Sequence, residues 1–539
     1  MSAYRSGPEK SAHDGDGVVE QVVRQFADPY AFVRELVQNA IDASAETVRI
    51  VVEEEPASAV RVEDDGKGMT LEIIRGPLLT LFSSSKEGDK GKIGKYGVGF
   101  MSVFALEPSR VLVETWRKEG SYRVVIGHDH EFEVRETTPR SGSGTHVTIV
   151  MGPDSPSGAE IRERVAESAR RWCKHVARPV TVVSGGSEQR VDAPLSLRAP
   201  VVVESRSEDL VVLVGPTFGT ERLPAEPGDV SNGDLAGFYA HGLTLLEATD
   251  TPPVIPGVRF KVSSVDLSHT ISRDDVKRDA AYDRSMKLVG RLVSRDLPRA
   301  LEAAQRGAAE SFARTGRAGA RELALTASAV RSLEPERVHV PLLEPFKGKD
   351  TATLARVLKT SEAARALLAR ERSPLTSALA ERGLCIVRAE AEVELANDSI
   401  VDLLGLSGLP VPTDRFALAA RHGAVDTRAH LLEAVRKLLR RLRSEIEVEL
   451  VDVTAGKMDV VAAPATRIDE EHWLLSGEAG SGPRVVVQAA HPVVQRAASM
   501  SDARRAASLL ARLIWVETQG LLPARGADTL LEAAMGDPP

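Results

Sequence analysis

Hydrophobic residues follow two different periods along this chain, and together these periods predict a protein of mixed α/β class. In RELVQNAIDA, residues 34–43, the apolar positions Leu36, Val37 and Ala40 recur at helical spacing and predict one apolar helix face. Other stretches are short apolar runs bounded by turn-forming residues, which is typical of strands. The clearest of these runs are THVTIV, VTVV, PVVVE and LVVLVG, at 145–150, 180–183, 200–204 and 210–215.

The polar positions of the first helix form a pattern of their own. Glu35, Asn39 and Asp42 are spaced i, i+4 and i+7, which places them on one face. Asp28 is predicted to cap this helix, and Pro29 suits its first turn. A neighbouring carboxylate and amide can orient a water molecule and hold Mg²⁺. Taken alone, the same pattern more often describes a solvated helix face.

A second polar motif, DDGKGM at residues 64–69, follows a short strand-like run. Asp64 is followed by Gly66, Gly68 and Met69 in an acidic, glycine-rich turn. Because glycine has no side chain, the backbone of such a turn can approach a ligand closely. We expect the Asp64 carboxylate to accept a hydrogen bond from an exocyclic amine such as that of adenine.

Two further segments complete a possible nucleotide site. GKIGKYGVGF, residues 91–100, has a glycine-rich loop whose N–H groups can cradle phosphates. Within it, the candidate ligands are Gly94, Gly97, Val98, Gly99 and Phe100. Gly144-Thr145 then opens the strand THVTIV. One glycine-rich loop is a weak signal, but four such elements in this order are a strong one.

This order resembles the Bergerat-type ATP site shared by gyrase B, heat-shock chaperones, histidine kinases and MutL. The resemblance implies a two-layer α/β sandwich with a mixed sheet, and the chain indeed has no P-loop motif. It also implies that Glu35 is the general base for water and Asn39 the Mg²⁺ ligand. Asp64 would bind the adenine amine with Thr145 nearby, and Gly97, Gly99 and Phe100 would surround the phosphates.

Within that superfamily, later segments resemble the 90-kDa heat-shock chaperone family. These are VGFMSVFAL at 98–106, the amphipathic helix and strand at 161–184, and GVRFKVSSVDLSHTISRDDVKRD at 257–279. In the family, the arginine of the Ser-Arg pair in the last segment reaches the γ-phosphate, which here implies a catalytic role for Arg273. A planar, permanently charged guanidinium suits that role. Lys277 and Arg278 are expected to be ordinary surface charges.

The segment 489–522 resembles the C-terminal dimerisation domain of the same family. Its second half contains an apolar helix face formed by Leu509, Leu510, Leu513, Ile514 and Val516. Such a face could be intramolecular core or half of a dimer interface, and the resemblance favours the homodimer. His491, next to Pro492, is expected to be structural.

Composition narrows the function classes further. The 539 residues are 42% hydrophobic, which is enough for three or more domains with their own cores. With a net charge of −8, the chain lacks the excess of basic residues that is typical of nucleic-acid binding. No apolar run is long enough for a membrane span. Two cysteines, Cys173 and Cys385, argue for a reducing cytoplasm rather than a disulfide framework. His128 and His130 lack partners at metal-ligand spacing, so we expect a surface turn there.

The domain boundaries can be predicted roughly. We expect a flexible tail at 1–16, an ATP-binding domain at 17–155 and a linker at 151–158. A middle domain follows in two parts, the first at 159–300 and the second, helical with α/β character and one apolar strand, at 301–427. The last domain, 428–539, is expected to be a mixed α+β dimerisation domain with a basic helix at 429–444 and strands at 446–453 and 484–488.

The chain departs from the family pattern in the lid of the ATP site. Where the family has an Asn, a Gly-Thr pair and a Lys, this chain has Pro77, Leu79-Thr80 and Ser83. The following segment, residues 83–92, is rich in Ser, Lys and Gly, so a lid is still expected there. Lys86 is the candidate phosphate contact, with a solvated lid lysine as the alternative.

The sequence therefore predicts a cytoplasmic, homodimeric, Mg²⁺-dependent ATPase that acts as a chaperone on client proteins. A divergent ATPase dedicated to one partner complex, for example in defence or biosynthesis, is the main alternative. A histidine kinase is disfavoured because no dimerisation hairpin precedes the ATP-binding segment. A topoisomerase or mismatch-repair subunit is disfavoured because that branch uses a lysine where Arg273 lies.

Overall fold

In the computed structural model, the chain packs as two compact units. The first contains 1–217 and 221–297, and the second contains 298–539 with 218–220. The residues that the structure describes are 4–5, 23, 28–54, 58–79, 99–218, 233–270, 275–330, 334, 336–360, 367–389, 416–442, 446–476 and 484–536.

A nine-stranded mixed sheet forms the first half of unit 1. Its strand order is β1-β6-β5-β4-β7-β3-β2-β8-β9, and only β2 and β8 run parallel. The strands are β1 Tyr4–Arg5, β2 Val48–Glu53, β3 Ala59–Asp64, β4 Arg110–Arg117, β5 Gly120–Gly127, β6 Phe132–Glu136, β7 Gly144–Val150, β8 Val180–Ser184 and β9 Ser187–Arg190.

Helices α1 (Phe32–Asp42) and α2 (Gly158–Trp172) pack on this sheet. Strand β2 alternates buried and exposed residues, with Val48, Ile50 and Val52 in the core, as a strand covered on one face should. Shorter helical segments lie at Leu71–Ile73, Ile74–Leu78 and Phe100–Phe104. The mixed sheet with its helical layer is the arrangement that the resemblance implied.

The first sheet extends further along the chain than predicted. Helix α2 carries the chain from β7 across to β8, and β8 pairs with β2 in the register Val48 with Val180. A parallel pair needs such a crossover connection, and the amphipathic helix supplies it. The strand VTVV, which the sequence analysis grouped with the middle domain, therefore pairs within the first sheet.

A second sheet completes unit 1. It has the order β10-β11-β14-β12-β13, and helix α3 (Ala280–Arg291) contributes to its core, continuing into a π-helical turn at Leu292–Asp296. Its strands are β10 Val203–Arg206, β11 Leu210–Pro216, β12 Leu235–Ala240, β13 Leu243–Ala248 and β14 Val258–Ser264.

Unit 2 begins with helices α4 (Leu297–Thr315) and α5 (Ala320–Val330), followed by a four-stranded sheet in the order β16-β15-β18-β17. Its strands are β15 His339–Phe346, β16 Lys349–Thr353, β17 Leu367–Ala369 and β18 Ile386–Arg388, with helices α6 Leu354–Thr360 and α7 Pro374–Glu381 between them. The sequence predicted a single strand here, the one that contains β18, and missed β15, β16 and β17.

The rest of unit 2 is a closed five-stranded barrel with four helices. The barrel consists of β19 Phe416–Arg421, β20 Glu447–Gly456, β21 Ala462–Arg467, β22 His472–Ser476 and β23 Arg484–Gln488. The helices are α8 Thr427–Arg441, α9 Pro492–Ala498, α10 Ala503–Gln519 and α11 Ala524–Met535. Because β19 pairs with β20 and β22, the predicted boundary at residue 428 separates one strand from its own barrel.

Candidate nucleotide site

The helix that carries Glu35 begins later than the sequence predicted. Its first residue is Phe32, and Ala31 precedes it without a side-chain cap. Asp28 instead accepts a hydrogen bond from the Tyr30 N–H at 2.9 Å, while its carbonyl accepts one from Ala31 at 3.0 Å. Asp28 therefore closes the turn before the helix, and this turn leads the chain into the core, where Tyr30 and Phe32 are buried.

The polar face of α1 runs from the core to the surface. Glu35 is buried with 3% exposure, whereas Asn39 and Asp42 are exposed. Leu36, Val37 and Ala40 are buried, as the pattern predicted. This gradient places the carboxylate inside the protein and leaves the Asn39 amide accessible. An accessible amide oxygen fits Mg²⁺, which binds few protein ligands and takes the rest from water and phosphate.

Glu35 has a buried partner that the sequence analysis did not identify. The Nη2 and Nε atoms of Arg34 lie 3.2 and 3.3 Å from Glu35 Oε1. The guanidinium also stacks on Trp172, 4.7 Å from the ring centre, and burial lowers the pKa of Arg34 to about 10. A buried carboxylate needs such a charge partner. Arg34 thus fixes the carboxylate through an ion pair between adjacent residues.

Asp64, at the end of β3, has an unusual environment for a carboxylate. Burial, with a smaller contribution from the charge of Asp65, raises its pKa to about 6, against hydrogen bonds from the Gly66 N–H at 2.8 Å and from the Thr145 N–H. Such a group is a good acceptor for a donor that a ligand brings, because water solvates it poorly.

The pKa of Asp65 is shifted in the opposite direction to that of Asp64. Burial raises its pKa, but hydrogen bonds from the Thr47 N–H at 2.9 Å, the Thr47 hydroxyl at 2.9 Å and the Glu46 N–H at 2.7 Å outweigh that effect and lower it. Asp65 therefore holds the loop after α1. Of the two adjacent aspartates, only Asp64 is left for a ligand.

The glycines of DDGKGM are required by close packing. Gly68 has φ of +65°, and a Cβ atom there would lie 2.4 Å from the Trp116 carbonyl oxygen. A Cβ at Gly66 would lie 2.8 Å from Ala43 Cβ, next to the end of α1. The turn is therefore wedged between helix α1 and strand β4. Met69, the last residue of the motif, packs against the same core.

Two threonines form the floor of this site. Thr145 lies opposite Asp64 in the β3–β7 pair, and its hydroxyl is 3.2 Å from that of Thr115 on β4. The Thr115 hydroxyl also accepts the Met69 N–H at 2.8 Å. Thr115 thus connects the motif turn to Thr145. The sequence analysis missed it, although a polar residue in phase with Val111 and Val113 on an alternating strand was a usable signal.

Most of the glycine-rich loop lies outside the described residues, including Gly94, Gly97 and Val98. Lys86, in the segment before the loop, lies outside them as well. Gly99 leads into the 3₁₀ helix Phe100–Phe104, where the Ser102 hydroxyl donates to the Gly99 carbonyl at 2.6 Å. The Phe100 side chain is 5% exposed and packs in the core together with α1. Only its backbone is therefore available to a ligand, because its ring anchors the loop.

Arg273 also lies outside the described residues, but the segments on both sides of it are described. The Thr270 N–H donates to the Asp275 carbonyl at 2.9 Å, and the Lys277 N–H to the Ser268 carbonyl at 2.7 Å. Burial lowers the pKa of His269, and the charge of Arg34 lowers it further. Lys277 and Arg278 are exposed and form long 3.8 Å ion pairs, as surface charges do.

The other histidines singled out in the sequence are structural. His491 caps α9, with its Nδ1 accepting the Val493 N–H at 3.2 Å. His130 lies in the turn between β5 and β6 and packs edge-on against Phe104. Across the part of the chain that the structure describes, no cluster of three His, Cys, Asp or Glu side chains is arranged for a metal ion.

Cys173 and Cys385 are both buried and both free. Among the described residues, no helix combines the length and the hydropathy that a membrane crossing requires.

Comparison with known proteins identifies the same region. Residues 29–140 match the family of histidine kinase-, DNA gyrase B- and HSP90-like ATPases. The chain is also similar to chaperone protein HtpG of Anaplasma phagocytophilum, with 27% identity over 197 residues. The same protein of Roseobacter denitrificans is 30% identical over 184 residues, and that of Chlorobium phaeobacteroides 28% over 189. These matches span 29–31% of this chain and 29–31% of the relatives. The chain is an HSP90-like member of the ATPase superfamily that contains gyrase B, heat-shock chaperones and histidine kinases.

Proposed function

We propose that this protein is an ATP-hydrolysing molecular chaperone of the 90-kDa heat-shock type. The observation that carries the proposal is the joining of four sequence motifs around one site. Helix α1 with Glu35 packs on β3, which ends at Asp64, and on the 3₁₀ helix that begins at Phe100. Strand β3 also pairs with β7 at Thr145.

The residues of this site suit distinct steps of ATP hydrolysis. Asp64 would accept the adenine amine, with the Thr145 hydroxyl beside it. Mg²⁺, held by Asn39 and the phosphates, would neutralise charge on the triphosphate. Glu35, buried and fixed by Arg34, would orient and deprotonate the attacking water. Asp42, Gly68, Met69, Gly94, Gly97, Val98 and Gly99 would line the nucleotide, and Lys86 would contact a phosphate.

Arg273 would complete the site from the segment that follows β14. Its guanidinium would stabilise the charge that develops on the γ-phosphate. The effect of the Arg34 charge on the pKa of His269 supports this role, because it indicates that the residues before Arg273 lie within electrostatic range of the helix that carries Glu35. Hydrolysis would be slow if the complete site exists only in a closed state.

The assembly that we propose is a cytoplasmic homodimer that acts on client proteins. Of the apolar face predicted on α10, Leu510 and Ile514 are intramolecular core, whereas Leu509 and Val516 are 59% and 48% exposed. The neighbouring helix α11 exposes Leu531 and Met535 as well. Exposed apolar side chains on two packed helices are typical of an interface between copies.

A second candidate is an ATPase of the same superfamily that serves one partner complex. It is favoured by the lid region, where the family's Gly-Thr pair is replaced by Leu79-Thr80. Leu79 is 1% exposed and packs in the core of unit 1. A buried leucine at that place is expected to restrict the lid in a way that a glycine does not.

The steady-state ATPase rate of wild type and Arg273→Ala, measured across protein concentrations, tests the chaperone-type cycle. We expect a slow rate that falls at least tenfold in the variant, since an arginine on the γ-phosphate contributes roughly 10³-fold or more in related reactions. Arg278→Ala, an exposed arginine of the same segment, serves as the matched control and should retain the wild-type rate. Equal rates in all three proteins would contradict the role of Arg273. Suppression of aggregation of several unrelated proteins would argue against the dedicated ATPase.

A further inference from the structure

A cleft of about 620 Å³ lies in unit 2, between the β15–β16 hairpin and helices α6 and α7. Ligand sites in proteins typically have this size. Three basic and two acidic side chains line it, together with one aromatic ring: Lys347, Arg356, Arg382, Glu344, Glu381 and Phe346. No residue of the predicted ATP site takes part in it.

Two of these charged side chains, Glu344 and Arg382, have hydrogen-bond partners within the protein. Glu344 is buried and accepts hydrogen bonds from the Thr376 and Ser377 hydroxyls at 2.8 and 3.1 Å. Arg382 donates to the Ala378 carbonyl at 2.8 Å and lies 3.0 Å from His472 Nε2. Glu344 and the two Nη groups of Arg382 therefore shape the cleft, whereas the Nε of Arg382 is buried without a hydrogen-bond partner among the described residues.

Arg356 differs from Arg382 in that its guanidinium lies over an aromatic ring. Its guanidinium stacks on Phe346, 4.8 Å from the ring centre, and its Nε is buried without a hydrogen-bond partner among the described residues. A guanidinium that stacks on a ring directs its N–H groups outward in its own plane, where they match the two oxygens of a carboxylate. Leaving a buried donor unsatisfied is unfavourable, so an acceptor from a ligand would be stabilising.

The remaining charges indicate what kind of anion fits. Lys347, at the hairpin turn, adds one more positive charge near Phe346, with its Nζ 5.7 Å from the ring centre. Glu344 and Glu381 add negative charge in the same cleft, which disfavours a polyanion such as a nucleic acid or a polyphosphate. A single carboxylate on an otherwise neutral chain avoids that repulsion.

We infer that this cleft binds an extended polypeptide segment through one carboxylate, which pairs with Arg356. The carboxylate could belong to an acidic side chain or to a chain terminus, since both present the same two oxygens. Phe346, Pro345 and Ala380 would contact the apolar part of the segment. The site requires no nucleotide, so its failure would leave the ATPase proposal untouched.

Fluorescence anisotropy of the full-length protein, without nucleotide, tests the site. The probe is a heptapeptide of Gly, Ser and Ala with one central Glu, which carries the label on its N-terminus and is amidated at its C-terminus. Its counterparts carry Gln instead, with either an amidated or a free C-terminus. We expect the Glu peptide or the free-terminus peptide to bind about tenfold more tightly than the uncharged one, as charge-assisted hydrogen bonds require. Equal affinities for all three peptides would overturn the inference.

Variants of helix α6 locate the contact. Arg356→Gln should weaken binding of the preferred peptide about tenfold and leave the affinity for the uncharged peptide unchanged. Arg356→Lys should have an intermediate affinity, because lysine keeps the positive charge but lacks the two parallel N–H donors of a guanidinium. Lys359→Gln, an exposed lysine of the same helix, makes the same charge change and should alter binding by less than about twofold. Equal losses in both Gln variants would refute a specific site. Displacement of the peptide by inorganic phosphate at similar concentration would refute a polypeptide ligand.

Discussion

Asp64→Asn should stabilise the nucleotide-free protein while it abolishes nucleotide binding. The folded-state pKa of Asp64 is about 6, whereas the reference value is 3.8. The folded state therefore holds the proton more tightly than the unfolded state, and ionisation opposes folding. This cost is absent below pH 4, grows between pH 4 and 6, and is constant above pH 6.

The size of the effect follows from the shift. A pKa shift of this size lowers the free energy of unfolding by at most about 3 kcal/mol at neutral pH. Solvent at the exposed edge of Asp64 screens part of it, which leaves about 1–2 kcal/mol. An asparagine keeps an oxygen that can accept the Gly66 N–H, now at 2.8 Å, and carries no charge beside Asp65. At the same time its amide group can present a donor to the adenine amine, so the binding contact becomes repulsive.

Thermal unfolding of the nucleotide-free protein at several pH values, together with calorimetric titration of ADP, measures both effects. At pH 7.5 we expect the midpoint temperature of the first unfolding transition of the variant to rise by about 2–4 °C for each kcal/mol added to the free energy of unfolding. This rise should become smaller toward pH 5. ADP binding should be undetectable. A lower transition temperature at pH 7.5, or micromolar binding of ADP, would refute the reasoning.

The adjacent residue provides a matched control. Asp65→Asn removes the same charge from the same turn, but the pKa of Asp65 is lowered in the folded state. Its ionised form therefore stabilises the fold above the reference pKa, and that contribution is lost as the pH falls. We expect Asp65→Asn to lower the transition temperature at pH 7.5, opposite in sign to Asp64→Asn.

The packing of the site and the exposed helices lead to three further predictions. Gly68→Ala should destabilise the protein by about 1–3 kcal/mol, because its φ is positive and its Cβ would lie 2.4 Å from the Trp116 carbonyl oxygen; an unchanged melting curve would contradict this. Thr115→Val should cost about 1–2 kcal/mol and weaken ADP binding, since the Met69 N–H loses its acceptor, whereas Thr115→Ser should retain both. Leu509→Asp should shift the mass measured by light scattering from dimer toward monomer, and Leu509→Met should not; identical masses for both would exclude this helix from the interface.

The candidate nucleotide site could be proposed from the sequence because its residues follow local rules. The helical spacing of Glu35 and Asn39 and the glycines after Asp64 are readable in the sequence alone. Thr115 carries a local signal, since it is a polar residue in phase with buried valines, but its role also depends on the long-range pairing of β4 with β7, which the sequence does not reveal. The pairing of Arg34 with Glu35 was missed for a related reason: the burial of Arg34 against Trp172 depends on the packing of α2 on α1.

The same distinction explains the errors in the fold. Helices α4 and α8 were predicted well because their amphipathic periods extend over several turns. Strand β8 was read correctly as a strand but assigned to the wrong sheet, because parallel pairing joins segments far apart in the chain. Strands β15 and β16 were missed because Pro341 and Pro345 interrupt the apolar pattern of the first and polar residues dominate the second.

Glu35→Ala tests the central claim most directly, through its ATP hydrolysis rate and its ATP affinity measured on the same preparation. The carboxylate acts on water and not on the nucleotide, so we predict that hydrolysis falls to background while calorimetric ATP affinity stays within about threefold of wild type. Glu35→Gln, which keeps the shape of the side chain, should behave in the same way. Hydrolysis at the wild-type rate in these variants would contradict the account.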